Sequence, residues 1–338
     1  MRFYLSLLIL LFSQWFAFAQ NDNVAYQSLD LPLSARSAVL NQPIAIFDKD
    51  VEMGISNPVT LNQLSQGHLS LNFVDYYADI NFLSASYAFQ FRNIGTMAVS
   101  VKSIGYGEFT ETDYTSQSYG MFAANEQMAF VGLSKSLSDS WKIGTSIKTL
   151  ISNLETYQSV ALAGDLSIAY TNFEKKLFLS LLAKNYGRQI TTYANTTERL
   201  PFKLNLGLSK QLEHLPFLFS LNYNQIHKWQ LAPSLEKPSE LRSKLANFST
   251  TFFSHIDMGG ELTLFKHIKL RAGFNPKRRQ ELKVNTYSGM VGFSWGIGIQ
   301  FSHFTIDYGR STYHLHGSPN YFSFSTDFSK FYFKNEKN

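Results

Sequence analysis

The 338-residue sequence contains no cysteine. That excludes disulfides, thiol chemistry, zinc sites built on Cys and a lipid-modified N-terminal Cys. Charged residues are scarce at 16%, and the formal net charge of +5 is too mild to point to a nucleic-acid partner. Beyond the first twenty residues no stretch approaches ~18 consecutive apolar residues, so no helical membrane span is expected. Nucleophile–base pairs and Gly-rich phosphate loops are also missing from the pattern, so neither an enzyme nor a cofactor is expected.

What is abundant is aromatic: 15% of the chain, with 30 Phe and 18 Tyr. The chain opens on Met1 and Arg2, continues with an apolar run over 3–12, and reaches Ala17-Phe18-Ala19. This is the form of a secretory signal, 1–19, cleaved after Ala19. The mean hydropathy of −0.13 is low for a membrane protein. It does not exclude one, because polar lumen-facing residues dilute lipid-facing ones in a barrel.

The decisive pattern is alternation. Over 200–212, Leu200, Phe202, Leu204, Leu206, Leu208 and Leu212 share one parity, while Lys203, Asn205, Gly207, Ser209 and Gln211 share the other. Over 287–301, Tyr287, Val291, Phe293, Trp295, Ile297, Ile299 and Phe301 fall on one parity, with Gly, Ser and Gln between them. In 157–171, Val160, Leu162, Leu166, Ile168 and Tyr170 oppose Ala161, Ala163, Asp165, Ser167 and Ala169. A period of two puts successive side chains on opposite faces of a strand. About fourteen such strands are expected, over 68–75, 79–91, 94–105, 125–137, 141–153, 157–171, 177–186, 200–212, 216–228, 253–265, 267–275, 286–300, 302–310 and 319–328. A weak extension is visible at 108–112.

Connection lengths carry a second signal. Tight turns at Asn93, 138–140, 172–176, 213–215 and Lys266 interleave with longer stretches at 106–124, 187–199, 229–252, 276–285 and 311–318. Outer-membrane barrels sort short periplasmic turns from long outside loops in this way. The expected fold is therefore all-β, a transmembrane antiparallel β-barrel of about 14 strands with an N-terminal hatch or plug segment. Residues 20–66, which do not alternate, form the plug; 67–333 form the barrel, and 334–338 a charged tail. Both termini are expected in the periplasm of an integral outer-membrane protein.

Single motifs add little. Gly292-Phe293-Ser294-Trp295-Gly296 matches a nucleophile elbow, G-x-S-x-G, but lies inside an alternating strand with no helix after it. Its glycines read as small lumen-facing residues, and a serine hydrolase using Ser294 is a distant rival. His314 and His316 sit two apart without a nearby carboxylate, as ordinary surface histidines do, and no metal is expected. Lys277-Arg278-Arg279 is a basic cluster in a predicted outside loop, suited to lipopolysaccharide phosphates or an acidic partner. Trp229 heads the longest outside loop, in which a short helix over 240–245 is expected.

The plug sequence Ser34-Ala35-Arg36-Ser37-Ala38 with a downstream Asn57-Pro58 resembles the hatch of FadL-like fourteen-stranded barrels. The stretches 69–81, 106–111, 189–193 and 200–202 narrow this to a resemblance to the PorQ family of the type IX secretion system. Two departures stand out: Leu40-Asn41-Gln42-Pro43 where relatives carry glycines, and Val59 after Asn-Pro where Ala is usual. The resemblance implies an anchor in the outer membrane for a surface attachment complex. It implies a PorZ-like partner, with a PorU-like sortase and a PorV-like shuttle barrel in the larger assembly; the outside loops carrying Trp229, Lys277, Arg278 and Arg279 are the candidate docking surface. Membrane lipids and lipopolysaccharide complete the expected partners. The rival expectation is a FadL-like channel for hydrophobic small molecules, which needs an apolar chamber above the hatch and a lateral opening at a kinked strand. The lumen-facing residues, mostly Ser, Asn, Lys and Ala, do not favour it.

Overall fold

The computed structural model describes residues 24–113, 115, 117–193, 196–229, 231, 241–282, 289–313 and 317–328. The signal segment, Tyr287, His314, His316 and the charged tail lie outside the described residues. Fourteen antiparallel strands close into a barrel in which each strand pairs with its chain neighbours and β1 pairs with β14. Closure pairs each strand on both sides over most of its length, so most backbone groups are met within the wall, as a bilayer requires. The strands are β1 (His68–Asp75), β2 (Asn81–Phe91), β3 (Gly95–Thr112), β4 (Ser118–Ser136), β5 (Trp141–Leu154), β6 (Tyr157–Asn172) and β7 (Leu177–Thr191). They continue with β8 (Lys203–Gln211), β9 (Phe217–Tyr223), β10 (Ile256–Leu264), β11 (Ile268–Phe274), β12 (Phe293–Phe301), β13 (Phe304–Ser311) and β14 (Asn320–Asp327).

The alternation becomes two faces. Leu162, Leu166 and Ile168 of β6 are exposed on the outside, while Ala161, Ala163, Asp165, Ser167 and Ala169 are buried inside. Rings on the outer face pair across strands, as Trp141 does with Tyr170 and Phe73 with Phe322. Such cross-strand aromatic pairs stabilise a register by roughly 0.2–1 kcal/mol each.

Several boundaries differ from expectation. The stretch 106–124 is mostly wall: β3 and β4 run on past a bulge between Gly105 and Glu108, which hid the alternation, and Phe109 stacks on Phe122 at 5.4 Å. Strand β7 continues to Thr191 beyond Asn185, whose φ of +59° kinks it. Strand β9 stops at Tyr223, and β10 begins only at Ile256, because helix α3 (Leu241–Ser254) occupies the space before it. That helix is longer than the 240–245 expected, and Glu240 lies outside the described residues. A second loop helix, α4 (Pro276–Leu282), fills the next long connection. Strand β12 starts at Phe293 rather than 286, since Gly292 at φ +88° breaks the period. Val291 is consequently fully buried instead of facing outward. Leu200 also departs from its parity: it precedes β8 and turns inward onto Tyr26 and Leu29.

Candidate functional site

Residues 24–66 run inside the barrel. Helix α1 (Ala35–Val39) begins at Ser34, whose side chain accepts from Ser37 N, and packs on β11–β14. Helix α2 (Val51–Ser56) begins at Asp50 and faces β1–β4. The turn at Asn57-Pro58 sits against β4, β5 and β6. Val39, Leu40, Val51, Met53, Val59 and Leu61 are almost completely buried. The hatch thus reaches from one wall to the opposite one.

Its seat is built from small polar residues on the inner face. Ser294 Oγ donates to Val39 O (2.7 Å), Ser134 Oγ to Val59 O (3.2 Å), and Asn222 Nδ2 to both Asn41 O and Gln42 O (3.2 and 3.0 Å). In return Ala35 N donates to Ser323 Oγ (2.9 Å) and Val59 N to Ser167 Oγ (3.2 Å). Ser294 is therefore a buried hatch anchor, and no strand-to-helix elbow surrounds it. Asn57 closes the turn by donating to Ile44 O (2.6 Å) and Ser180 Oγ (2.7 Å). The missing glycines near Leu40 are compensated locally: Asn41 and Gln42 adopt φ of +56° and +53° themselves. Asn tolerates this region, and the Asn222 amide holds the turn's carbonyls.

Arg36 is the electrostatic centre. Its guanidinium grips Glu261 of β10 with two bonds, Nε to Oε2 at 2.8 Å and Nη2 to Oε1 at 3.0 Å. Its Nη1 reaches Asp48 (2.7 Å) and Asp50 (3.2 Å) within the hatch. Glu261 also binds Arg271 (2.6 Å), which continues to Asp307 on β13 (2.6 Å). One hatch residue is thus tied through charge to β10, β11 and, across β12, to β13. Two-pronged carboxylate recognition is what a planar guanidinium provides and an ammonium does not.

Glu52 of α2 is 1% exposed and accepts from Asn72 Nδ2 at 3.0 Å. Burial first, and the neighbouring Asp50 carboxylate second, push the Glu52 carboxyl up to about 7. A carboxyl raised on folding contributes fully below its unfolded value near 4.5, and that contribution is lost as pH climbs through about 7. Hatch seating is expected to weaken between these limits, by about 3 kcal/mol at pH 8. Glu52→Gln should remove the dependence, stabilising the hatch at pH 8 and leaving it unchanged at pH 5. Protease protection of residues 24–66 across pH measures this, and equal slopes for both proteins would refute it.

Nearer the long-loop end, Ala25, Tyr26 and Leu29 form an apolar cluster with Leu150, Ala161, Ala163 and Leu200. Tyr26 OH donates to Ser159 Oγ (2.6 Å), and Ala25 N to Arg199 O (2.9 Å). This cluster faces a discontinuity in the wall. The β7–β8 pairing ends at Lys184 with Lys203, so beyond it Tyr186–Gln189 and Thr191 of β7 pair with β6 but not with β8. The kink is held from inside, with Asn185 N donating to Asp165 Oδ1 (2.8 Å) and Lys148 Nζ to Asn185 Oδ1 (2.9 Å). The alternation pattern did not reveal the kink, since Asn185 acts through long-range polar contacts. A separate cavity of about 870 Å³ lies on the outward face over β13, β14 and β1–β5, between side chains such as Leu83, Val101 and Phe324. It belongs to the lipid side of the wall rather than to the lumen.

The predicted loop residues fall at the long-loop end, where neighbouring groups hold the two arginines. Arg278 stacks on Tyr313, 3.9 Å from the ring centre, and Arg279 Nη1 donates to Val291 O (3.1 Å). Lys277 lies 3.7 Å from Glu281. Trp229 is about half exposed, and its carbonyl lies 3.0 Å from His255 Nε2.

A closed fourteen-strand antiparallel barrel around a polar-seated N-terminal segment is an outer-membrane β-barrel fold. No protein-family profile and no curated protein matches the sequence. Solved structures do match. The Pseudomonas putida toluene transporter TodX aligns with a TM-score of 0.51 at 13% identity, over 86% of this chain and 96% of that one. A deltaS2 mutant of the TodX monoaromatic hydrocarbon channel gives 0.54 at 12%, over 90% and 100%. A Pseudomonas aeruginosa FadL homologue gives 0.50 at 11%, over 88% and 99%. At such identities the likeness is one of fold.

Proposed function

We propose that the protein is an outer-membrane channel for small apolar molecules, with the N-terminal segment as its closure. The observation carrying this reading is the unpaired stretch of β7 beside an apolar cluster that Ala25, Tyr26 and Leu29 complete. A break in strand pairing is where a lipophilic molecule can leave the lumen sideways without crossing a polar pore. The likeness to barrels described as a toluene transporter and a monoaromatic hydrocarbon channel supports the substrate class. The test uses the chain's lack of cysteine. Val24 and Arg199 face each other in an isolated parallel β-bridge, so Val24→Cys with Arg199→Cys should form a disulfide pinning the N-terminal segment. In cells with an intact lipopolysaccharide leaflet, labelled toluene uptake should exceed that of cells lacking the protein. It should fall several-fold on oxidation and recover on reduction. Uptake equal to that of cells lacking the protein would remove this reading.

A second reading is favoured by one observation: the Arg36–Glu261–Arg271–Asp307 chain of charges makes the hatch resemble a permanent filling. On that reading the barrel is a PorQ-like outer-membrane anchor of the type IX secretion system. It would dock a PorZ-like surface protein on loops 229–252 and 276–285, within an assembly containing PorU-like and PorV-like components. Recovery of a large surface protein through an affinity tag on this chain, lost when both loops are deleted, would support it. Retention of that partner by the loop-deleted chain would displace the docking surface.

A further inference from the structure

The wall is shortest around β9 and β11, each of seven residues. At ~3.3 Å per residue and a tilt of about 40°, seven residues rise only roughly 18 Å along the barrel axis. The apolar band of an outer-membrane barrel is about 25 Å tall. The shortfall, roughly 7 Å, is close to the thickness of one helix with its side chains, about 10 Å.

Helix α3 lies where the wall falls short. Tyr223, the last residue of β9 and on its outward parity, holds the Phe252 ring at 5.7 Å and the His255 ring at 5.0 Å. Ile256, on the outward parity of β10, is nevertheless only 7% exposed, next to the helix that packs on this strand. The helix therefore sits against the outside of the barrel at the long-loop end. Its apolar residues continue upward from Tyr223: Phe252 stacks on Phe248, and Phe248 meets Trp229 at 5.1 Å. Phe253 adds a third ring at 5.7 Å from Phe252. Phe248, Phe253 and Trp229 are each about half exposed, an unusual cost for three neighbouring rings in water. The same helix is held from another side by α4, through Gln280 Nε2 donating to Thr250 O at 3.3 Å.

We infer that α3 is an interfacial membrane helix, its Phe248, Phe252 and Phe253 face embedded among the acyl chains of the leaflet at the long-loop end. It replaces the missing upper rows of β9. The occupant is lipid rather than protein because the aromatic face is continuous with the lipid-facing face of the wall, through Tyr223, and meets a calculable gap in it. An amphipathic helix lying in the interface buries its apolar side about 5–10 Å deep. This inference does not rest on the channel reading.

Single cysteines introduced as Phe248→Cys and Phe253→Cys, in the otherwise cysteine-free full chain, can carry an environment-sensitive fluorophore. Leu206→Cys, outward on β8, supplies a lipid-facing reference, and Thr115→Cys at the β3–β4 tip an aqueous one. In vesicles of acyl-brominated phosphatidylcholine, both helix sites should be quenched at least half as strongly as the β8 site, and shielded from iodide. Heat-modifiable migration on gels confirms that each variant has folded. Quenching of the helix sites no stronger than at Thr115, with full access to iodide, would overturn the inference and leave the aromatic face for a soluble partner.

Discussion

Replacing Arg36 with alanine is expected to detach the hatch from its seat while the barrel stays closed. Arg36 is 4% exposed and holds Glu261, Asp48 and Asp50 within 3.2 Å. Removing it leaves three carboxylates facing one another, with Arg271 and Lys269 as the remaining cations near Glu261. Breaking a buried pair from one side costs about 3–5 kcal/mol, because the stranded charge keeps its desolvation penalty. Arg36→Lys should recover only part, since an ammonium cannot match both Glu261 oxygens. Limited proteolysis of residues 24–66 reads the result directly. Wild-type protection in the alanine variant would show that shape alone seats the hatch.

The second large effect is steric. Gly144 of β5 and Gly273 of β11 point inward beneath hatch backbone. A Cβ at Gly144 would lie 2.2 Å from Val59 N, and one at Gly273 would lie 1.9 Å from Val39 O. Main chain cannot rotate aside as a side chain does, so Gly144→Val with Gly273→Val should expel the hatch from both walls. A barrel of this strand number encloses a water-filled lumen once unplugged, so conductance in planar bilayers should rise, by roughly tenfold or more. Gly105→Ala is the control, because nothing lies within 4 Å of its added Cβ. Unchanged conductance in the double variant, with gel mobility still that of a folded barrel, would mean the hatch relocates without opening a path.

All fourteen strands were legible because a membrane wall imposes period two on every segment at once, as in β6 and β8. The sorting of connections located the two ends. What periodicity could not carry was the choice of long-range partners. Arg36 stood out only by resemblance, and its link to Glu261 spans 225 positions. Ser294 looked chemically interesting for the wrong reason: a Cβ on Gly296 would meet Val39 Cγ2 at 2.9 Å, while Gly292 sits at φ +88°. The kink at Asn185 and the break at Gly292 each interrupt a run that reads as smooth. The basic cluster at 277–279 looked like a surface for anions, yet Tyr313 and the Val291 carbonyl hold its two arginines.

The hydroxyls and amides of the seat bind the hatch mostly through peptide groups. Ser294, Ser134, Ser209 and Asn222 all donate to main-chain carbonyls, and Ser167 and Ser323 accept from main-chain N–H groups. A socket that reads the course of the backbone is largely indifferent to the residues hung on it. Outside Arg36 and Asn57, much of the hatch can therefore drift in sequence without losing its place. A change of one inward serine or glycine in the wall alters the fit for whatever sequence the hatch then carries.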